Sequence, residues 1–334
     1  MTDKIEVLSV GDIVTDAFVR LLEDQAHEYY NENGRWLAMP FGAKIPFDHA
    51  EVVEGVGNAA NAAVSFARLG LKSGLAANVG EDKHGRDMLA ALHKNKVDTR
   101  LVRINPGKPS HYHYVLWYKE ERTILVNSVD YDYYWPHLRP AEVPEWMYFS
   151  SVGKFALEYH DDIVEWLEKH PEVKMAFQPG TFQISLGAER LSHIYKRSLV
   201  LVLNREEAAA VSGGNRDDMH DLFNRLHDLG PKVVCITDGP AGAYASDGSN
   251  RFKMPPYPDP APPYERTGAG DAFASTFVAA LVKGNTIEGA LQWAPINSMS
   301  VVQKVGAQAG LLTEKELEEY LRQCPDWYRP ERLG

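Results

Sequence analysis

The chain has 334 residues, of which 44% are hydrophobic, so it is long enough to bury a large core in one or two domains. Its formal net charge of −11 argues against a broad nucleic-acid-binding surface, so an anionic ligand would have to be held by local features such as backbone amides. Cys235 and Cys324 form no paired motif, the amino terminus carries no apolar signal segment, and no stretch reaches the roughly 18 uncharged apolar residues of a membrane span. We therefore expect a cytoplasmic protein with no nucleic-acid or membrane partner.

The first predicted element is a buried strand over residues 5–10, which ends at Gly11-Asp12. Asp16 follows four residues later. Acidic residues just beyond the carboxyl end of a central strand lie where open α/β sheets bind ligands. Asp12 and Asp16 are therefore candidate substrate-binding residues. Either could instead be a turn or cap residue, and of the two we favour Asp16 as functional.

Two segments do not follow a regular alternation of strands and helices. Residues 17–50 mix polar stretches with short apolar runs, and the aromatic-rich residues 111–118 are followed by 122–126 across a polar break, which is a hairpin signal. We expect these segments, over about 17–56 and 110–127, to form a small sheet that acts as a lid over a cleft. Exposed aromatic residues on such a lid make a homodimer through the lid plausible.

A glycine turn lies between these two segments. A predicted strand leads into Gly55 and Gly57, and an alanine-rich helix follows. Gly57 would let a ligand approach the backbone closely, and Asn61 offers both a donor and an acceptor, which suits recognition of a polyhydroxy compound. The two glycines also resemble half of a dinucleotide fingerprint, so an NAD(P)-dependent oxidoreductase is an alternative, although position 60 is Ala where the third glycine would stand.

From residue 71 onward the pattern is regular. The predicted strands are 75–79, 145–150, 173–177, 198–203 and 232–237, and the predicted helices are 85–95, 161–170 and 216–229. Strands that alternate with helices predict an α/β fold with a mostly parallel sheet covered on both faces. We see no repeat and no interdomain linker, which favours a single domain over 1–334.

Two of these strands end in polar or glycine-rich turns. Asn204 and Glu207 are three residues apart and would share a helix face, so their oxygens could hold the hydration shell of Mg²⁺. The same spacing is equally that of a capping box. The turn from Thr237 to Gly242, which includes Gly239, could hold a phosphate or could be a plain β-hairpin turn.

The segment Thr267-Gly268-Ala269-Gly270-Asp271 follows a proline-rich run and begins a predicted amphipathic helix. Small residues at a helix start leave backbone N–H groups uncovered, and the helix dipole points the same way, so the segment predicts an anion site. A carboxylate beside that site would repel the anion unless it has a role, such as taking a proton from the group that attacks the anion. The alternative is a glycine-rich loop capped by an aspartate.

Taken together, these features point to one reaction. A metal-type pair, a phosphate-type turn, an anion site and a carboxylate occur in that order, each after a predicted strand. In one parallel sheet the ends of those strands share an edge. Phosphoryl transfer to a hydroxyl needs all four, with Asp271 removing the proton of the acceptor.

The segment from Thr267 to Asp271 resembles the C-terminal signature of the ribokinase-like (PfkB) sugar and nucleoside kinases. The resemblance implies a three-layer, doubly wound α/β fold with a small β lid, ATP and Mg²⁺ as cofactors, and often a monovalent cation (K⁺) near the anion hole. By this match the residues take the following roles: Asp271 as catalytic base; Gly268, Ala269 and Gly270 as anion hole; Asp16, Asp12, Gly57 and Asn61 at the substrate; Asn204 and Glu207 at Mg²⁺; and Asn204, Thr237, Gly239, Gly242, Thr267 and Gly306 at the nucleotide, the last in a loop that closes over the base.

The acceptor is the least determined part of this prediction. We rank a free sugar first, a nucleoside second and a sugar phosphate third. A sugar phosphate would need a basic residue in the lid, for which Lys44 and Arg122 are candidates, although both could simply be solvated surface residues. Glu265 is the acid before the anion hole, with Arg266 where the family commonly has a small residue. Gln178 stands where Asp or Asn is frequent.

Overall fold

The computed structural model describes residues 4–32, 34–119 and 121–333; the predicted polar break at 119–121 includes residue 120, which lies outside the described residues. In chain order the strands are β1 (Val7–Val10), β2 (Val14–Leu21), β3 (His27–Asn31), β4 (Gly34–Ala38), β5 (Phe47–Val56), β6 (Ser73–Gly80), β7 (Asp98–Asn105), β8 (Tyr112–Tyr118), β9 (Glu121–Leu125), β10 (Trp146–Phe149), β11 (Lys174–Phe177), β12 (Val200–Asn204), β13 (Val233–Thr237), β14 (Ala243–Ser246), β15 (Arg251–Met254) and β16 (Glu331–Leu333). Each strand predicted from residue 71 onward is present, with small shifts at its ends.

The α-helices are α1 (Asn58–Arg68), α2 (Lys83–Lys94), α3 (Leu157–Lys169), α4 (Thr181–Ser185), α5 (Ser192–Arg197), α6 (Arg205–Ser212), α7 (Met219–Asp228), α8 (Ala269–Val282), α9 (Ile287–Val301) and α10 (Glu314–Arg322). In most of the longer helices the N-cap side chain accepts a hydrogen bond from the first turn. The N-cap residues of α1 and α8 are Gly57 and Gly268, which have no side chain that could accept one. The first N–H groups of α1 and α8 therefore remain for other partners. Within the described residues, none of the helices has the length and apolar character needed to cross a bilayer.

Ten strands form the large sheet, in the order β16-β15-β14-β13-β12-β11-β10-β1-β6-β7. The seven strands from β13 to β7 in that order are parallel, and β14, β15 and β16 extend the sheet with antiparallel pairings. The carboxyl ends of the parallel strands consequently lie along one edge, as expected for an open α/β sheet.

Alternate residues of the central strands pack against helices on opposite faces of the large sheet. In β12, Val200 and Val202 belong to one core with Phe277 of α8, while Leu201 and Leu203 belong to another core with residues of α3, α5 and α7. This alternation follows from the two-residue period of a strand, and burial on both faces explains why these strands read as uninterrupted apolar runs. The prediction of an α/β fold with helices on both faces is confirmed.

A separate small sheet has the strand order β5-β2-β8-β9, and β3 and β4 form a two-stranded hairpin beside it. β2 pairs with β8 in parallel and with β5 in antiparallel orientation, and β8 and β9 form the predicted hairpin. Several large side chains of these strands and their loops are exposed, among them Tyr30, Phe41 and Tyr114. The predicted small β-sheet outside the main sheet is therefore confirmed.

Candidate active site

Asp271 lies in the first turn of α8, where three amide side chains converge on its carboxylate. Asn61 donates to Oδ2 at 2.8 Å, and Asn58 and Gln178 donate to Oδ1 at 3.0 and 3.2 Å. Asn58 and Asn61 come from the first turn of α1, and Gln178 follows β11 directly. Because an amide N–H can donate only to an acceptor, the three bonds favour the ionised carboxylate.

The pKa of Asp271 reflects two opposed effects. Burial raises the pKa, while the three amide donors and the positive charge of Arg122 lower it, and the balance leaves the pKa above its ordinary value. A carboxylate of this kind is a better proton acceptor than an exposed aspartate while it remains ionised near neutral pH.

Two further residues fix the orientation of these amides, and no sequence pattern indicated that they belong to the site. Gln308 donates to Asn61 Oδ1 at 3.1 Å and to the carbonyl of Gly55 at 2.8 Å, so the amide nitrogen of Asn61 must face Asp271. The Tyr148 hydroxyl donates to Gln178 Oε1, which turns the Gln178 amide nitrogen toward the same carboxylate. The sequence showed Gln308 only as part of a loop, because its partners lie far away along the chain.

The predicted anion hole has the geometry of an uncovered helix start. Gly268 has φ +81°, and a Cβ there would lie 2.3 Å from the Ala307 Cβ, so no other residue fits. A Cβ on Gly270 would meet nothing within 4 Å, so the space in front of the first turn of α8 is open. The backbone N–H and hydroxyl of Thr267 both donate to Glu265 Oε1, at 2.7 and 2.5 Å, which fixes the chain just before the helix.

A cleft of about 510 Å³ lies in front of this helix start. Its lining includes the predicted nucleotide residues Thr237, Gly239 and Gly242 together with Ala269 and Gly270, and the apolar side chains Pro240, Tyr257, Met299 and Trp327. The turn from Thr237 to Gly242 joins the antiparallel strands β13 and β14, so of the two structures considered for it the hairpin is present. Because the turn lines the cleft, a hairpin and a phosphate-binding role are compatible.

Asn204 and Glu207 form the capping box that their spacing allowed. Glu207 N donates to Asn204 Oδ1 and Asn204 N donates to Glu207 Oε2, both at 2.8 Å. Within the described residues no protein group donates to Glu207 Oε1. Burial raises the pKa of Glu207, and the nearby charge of Asp271 adds to the effect. Asn204 lies opposite Thr237 in the register of β12 and β13, so the predicted shared edge of these two strand ends is observed.

Of the predicted substrate residues, Asp12 and Gly57 meet just beyond the carboxyl end of β1. Asp12 accepts hydrogen bonds from the Tyr133 hydroxyl and from Gly153 N, both at 2.7 Å. Gly57 has φ +107°, and a Cβ there would lie 2.9 Å from the carbonyl oxygen of Asp12, so the turn into α1 passes directly over this residue. Asp16 lies within β2 of the small sheet, not in the loop after β1, and faces His113 of β8.

Gly306 and Arg122 both lie beside Glu265, which is only 2% exposed. Gly306 N donates to Glu265 Oε2 at 3.4 Å, and Arg122 Nη1 of β9 lies 3.9 Å from Oε1. A Cβ on Gly306 would approach Val53 of β5. Gly306 is not among the described residues that line the cleft. The acid before α8 thus connects the loop containing Gly306 to the small sheet.

Comparison with known proteins agrees with this arrangement. Residues 49–314 match the model of the pfkB family of carbohydrate kinases. A 5-dehydro-2-deoxygluconokinase of Bacillus subtilis is 28% identical over 288 residues, covering 79% of this chain and 86% of the relative. A cytidine kinase of Thermococcus kodakarensis is 30% identical over 290 residues, covering 82% and 91%. The structure of Arabidopsis thaliana ribokinase complexed with ribose and ATP superposes with a TM-score of 0.77 at 18% identity, covering 96% of this chain and 99% of that one.

The chain therefore belongs to the pfkB family of carbohydrate kinases and has the ribokinase fold. It is a kinase of the sugar and nucleoside class. Membership of this family argues against the alternative of an NAD(P)-dependent oxidoreductase, which rested on Gly55 and Gly57 before α1.

Proposed function

We propose that the protein transfers the terminal phosphoryl group of ATP to a hydroxyl of a free sugar, with Asp271 as the general base. The observation that carries this proposal is the position of Asp271. Its carboxylate is buried, is held by three amide donors, and lies in the first turn of a helix whose open start faces the 510 Å³ cleft. A base in that position can take the acceptor's proton while the N–H groups at the helix start stabilise the transferring phosphoryl group.

In this proposal ATP occupies the cleft. The apolar side chains Tyr257, Met299 and Trp327 suit the base, and the turn containing Gly239 and Gly242 suits the phosphates, because small residues leave backbone N–H groups accessible. The backbone N–H groups of Gly268, Ala269 and Gly270 would form the anion hole at the positive end of α8. Thr267 would contribute indirectly, because its two hydrogen bonds to Glu265 fix the position of the chain just before the anion hole.

Glu207 and Asn204 are the residues proposed to serve Mg²⁺. The donor set fits a hydrated divalent cation, because within the described residues no protein group donates to Glu207 Oε1, which leaves this buried carboxylate oxygen available to a ligand. When bound, Mg²⁺ would neutralise charge on the polyphosphate. A requirement for K⁺ stays a prediction.

The small sheet is proposed to act as a lid over the acceptor, because Asp16 of β2 is buried beside His113 of β8, and His111 just before β8 lies 3.9 Å from Asp12, which follows β1. The exposed aromatic residues of the sheet also support a homodimer through it. A nucleoside is the second candidate acceptor, because a cytidine kinase is among the relatives, at 30% identity over 290 residues. A sugar phosphate ranks third, because Arg122 already faces the carboxylate of Glu265 and Lys44 is exposed.

The test is a panel of sugars, nucleosides and sugar phosphates, each incubated with purified protein, ATP and Mg²⁺ and scored for ADP release and for the phosphorylated product. We expect the largest kcat/KM for a free sugar. Turnover only of nucleosides or of sugar phosphates would reject the ranking but keep the kinase. Phosphorylation of none of the compounds would contradict the proposal.

A further inference from the structure

His111 lies on the same face of the small sheet as Asp16. The residue directly precedes β8, and its carbonyl accepts a hydrogen bond from Thr15 N at 3.2 Å, which continues the ladder between β2 and β8. Asp16 is paired with His113 in that ladder. Side chains two residues apart along a strand point to the same face, so His111, His113 and Asp16 share one. Near the end of β1, His111 Nε2 lies 3.9 Å from Asp12 Oδ1.

The hydrogen bonds of His111 determine its tautomer. The backbone N–H of Val129 donates to His111 Nδ1 at 3.0 Å, so this nitrogen carries no proton. Burial lowers the pKa of His111 and the charge of His113 lowers it further, while the charge of Asp12 and the backbone of Asn127 oppose this; the net pKa is lowered, which favours the neutral ring. A neutral ring whose Nδ1 accepts must hold its proton on Nε2, which makes Nε2 a donor.

In the described part of the chain, this donor and an acceptor on the same face of the small sheet are both buried without a partner. His111 is 4% exposed, and its Nε2 has no hydrogen bond within the described part of the chain. The nearest carboxylate oxygen, Asp12 Oδ1, is beyond hydrogen-bonding distance and already accepts from Tyr133. Asp16 is 8% exposed, and its Oδ1 is likewise unpartnered, since His113 Nδ1 at 3.5 Å makes no hydrogen bond to it. Buried polar groups in folded proteins are usually hydrogen-bonded to protein or to ordered water, so a donor and an acceptor left open on one face are candidates for contact with a ligand.

We propose that His111 is a specificity-determining residue for the acceptor. Its Nε2–H donates to a hydroxyl or carbonyl oxygen of a polyhydroxy acceptor, while Asp16 Oδ1 accepts from a hydroxyl of the same molecule. This rests on the proposed function and adds to it a second point of recognition, contributed by the small sheet. The acceptor must therefore present two oxygens, of which at least one is a hydroxyl.

Two substitutions separate recognition from structural support. In His111→Asn the side-chain oxygen takes the place of Nδ1, so it can still accept from Val129 N, but the donor at Nε2 is gone. In His111→Gln the amide nitrogen takes the place of Nε2, so the donor is kept and the bond to Val129 is lost. If Nε2 is the functional nitrogen, His111→Asn should lose activity and His111→Gln should keep it. If the bond between Nδ1 and Val129 is what activity requires, the effects of the two variants should be reversed. Thermal unfolding of both variants measures any loss of folding.

The assay measures kcat/KM for whichever of D-ribose, D-fructose and cytidine the wild type phosphorylates best, and for the monodeoxy analogues of that compound. We expect His111→Asn to lower kcat/KM by about 10- to 100-fold, mainly through KM, and His111→Gln to stay within about threefold of the wild type. For one deoxy analogue, the one lacking the oxygen that His111 contacts, the wild type and His111→Asn should perform alike.

Equal activity of His111→Asn and the wild type on the best acceptor would overturn this inference while leaving the kinase intact. So would a larger loss in His111→Gln than in His111→Asn, because it would assign His111 to the support of residue 129. A loss in His111→Asn that is the same for every deoxy analogue would also overturn it, because it would mean that Nε2 contacts none of the oxygens tested. A wild type that phosphorylates none of the three compounds would contradict the proposed function and this inference with it.

Discussion

The two sides of the candidate site are built from different materials. The donor side, which we define as the cleft between the turn after β13 and the start of α8, offers glycines, small residues and backbone N–H groups. The acceptor side, which we define as the region around Asp12, Asp16 and His111, offers buried side chains, two of them with unpartnered polar atoms. Backbone groups bind phosphate whatever the neighbouring side chains are, whereas side chains decide which hydroxyls fit. The donor side therefore suits a phosphate donor in general, and the acceptor side suits one class of acceptor.

Asp271 lies between the two sides, and its replacement should have the largest effect. Asp271→Asn keeps the size of the side chain but removes the proton acceptor, so we expect kcat to fall by about 10³-fold or more. Steady-state ADP release with the best acceptor measures this, and the midpoint of thermal unfolding controls for folding. Near-wild-type kcat in a folded Asp271→Asn variant would refute general-base catalysis by this residue.

On the donor side, two glycines in the same segment should respond differently. Gly268→Ala forces a side chain into a left-handed conformation and against Ala307, so we expect a destabilisation of about 1–3 kcal/mol and a fall of about 10²-fold in kcat/KM for ATP. Gly270→Ala meets no atom within 4 Å, so it should fold as well as the wild type but lower kcat/KM for ATP about tenfold by narrowing the anion hole. Chemical denaturation and ATP titration measure the two quantities. If Gly270→Ala leaves ATP kinetics unchanged, the phosphates do not lie at this helix start.

On the acceptor side, Tyr133→Phe should act on the acceptor alone. The substitution removes the hydroxyl that donates to Asp12 Oδ1 at 2.7 Å, while Gly153 N still holds Oδ2. We expect KM for the acceptor to rise about 3- to 10-fold, because Asp12 loses one of two fixed contacts, and KM for ATP to change less than twofold. A rise in KM for ATP as large as that for the acceptor would mean that the two sides are not separate.

The smallest effect concerns pH. Activity should fall on the acid side as Asp271 becomes protonated, and because burial raises its pKa this limb should lie above the pH range of an ordinary aspartate. Asn58→Ala removes a donor to the ionised carboxylate, so the limb should move to higher pH. The pH profile of kcat/KM measures the shift, and a limb that moves to lower pH would contradict the assignment to Asp271.

The same raised pKa has a consequence for stability. A group whose pKa is higher in the folded than in the unfolded protein stabilises the fold below its unfolded pKa, and this contribution is lost as pH rises through the folded pKa. The free energy of unfolding of Asp271→Asn minus that of the wild type should therefore be larger at pH 8 than at pH 4. Urea denaturation at the two pH values, with Asn58→Ala as a control that keeps the carboxyl group, measures the difference.

Features that depend on neighbouring residues were predictable from the sequence. The parallel strands appeared as apolar runs because they are buried on both faces, and the open starts of α1 and α8 followed from their glycines. The hairpin of β8 and β9 was also predictable, because the two strands are adjacent along the chain. Where the sequence allowed two local structures, as at Asn204 and Glu207, the capping box formed, because its hydrogen bonds need no distant partner.

The environment of the reacting group was decided only by the tertiary structure. Asn58, Asn61 and Gln178 reach Asp271 across 213, 210 and 93 residues of chain, and Gln308 reaches Asn61 across 247. No local pattern specifies such contacts, because they depend on the order of strands in the large sheet and on how α1 packs beside α8. The sequence alone determined that small residues and a carboxylate stand together at a helix start, at residues 267–271. The tertiary structure decided what holds that carboxylate, and that His111 and Asp16 of the small sheet are buried with polar atoms unpartnered in the described part of the chain.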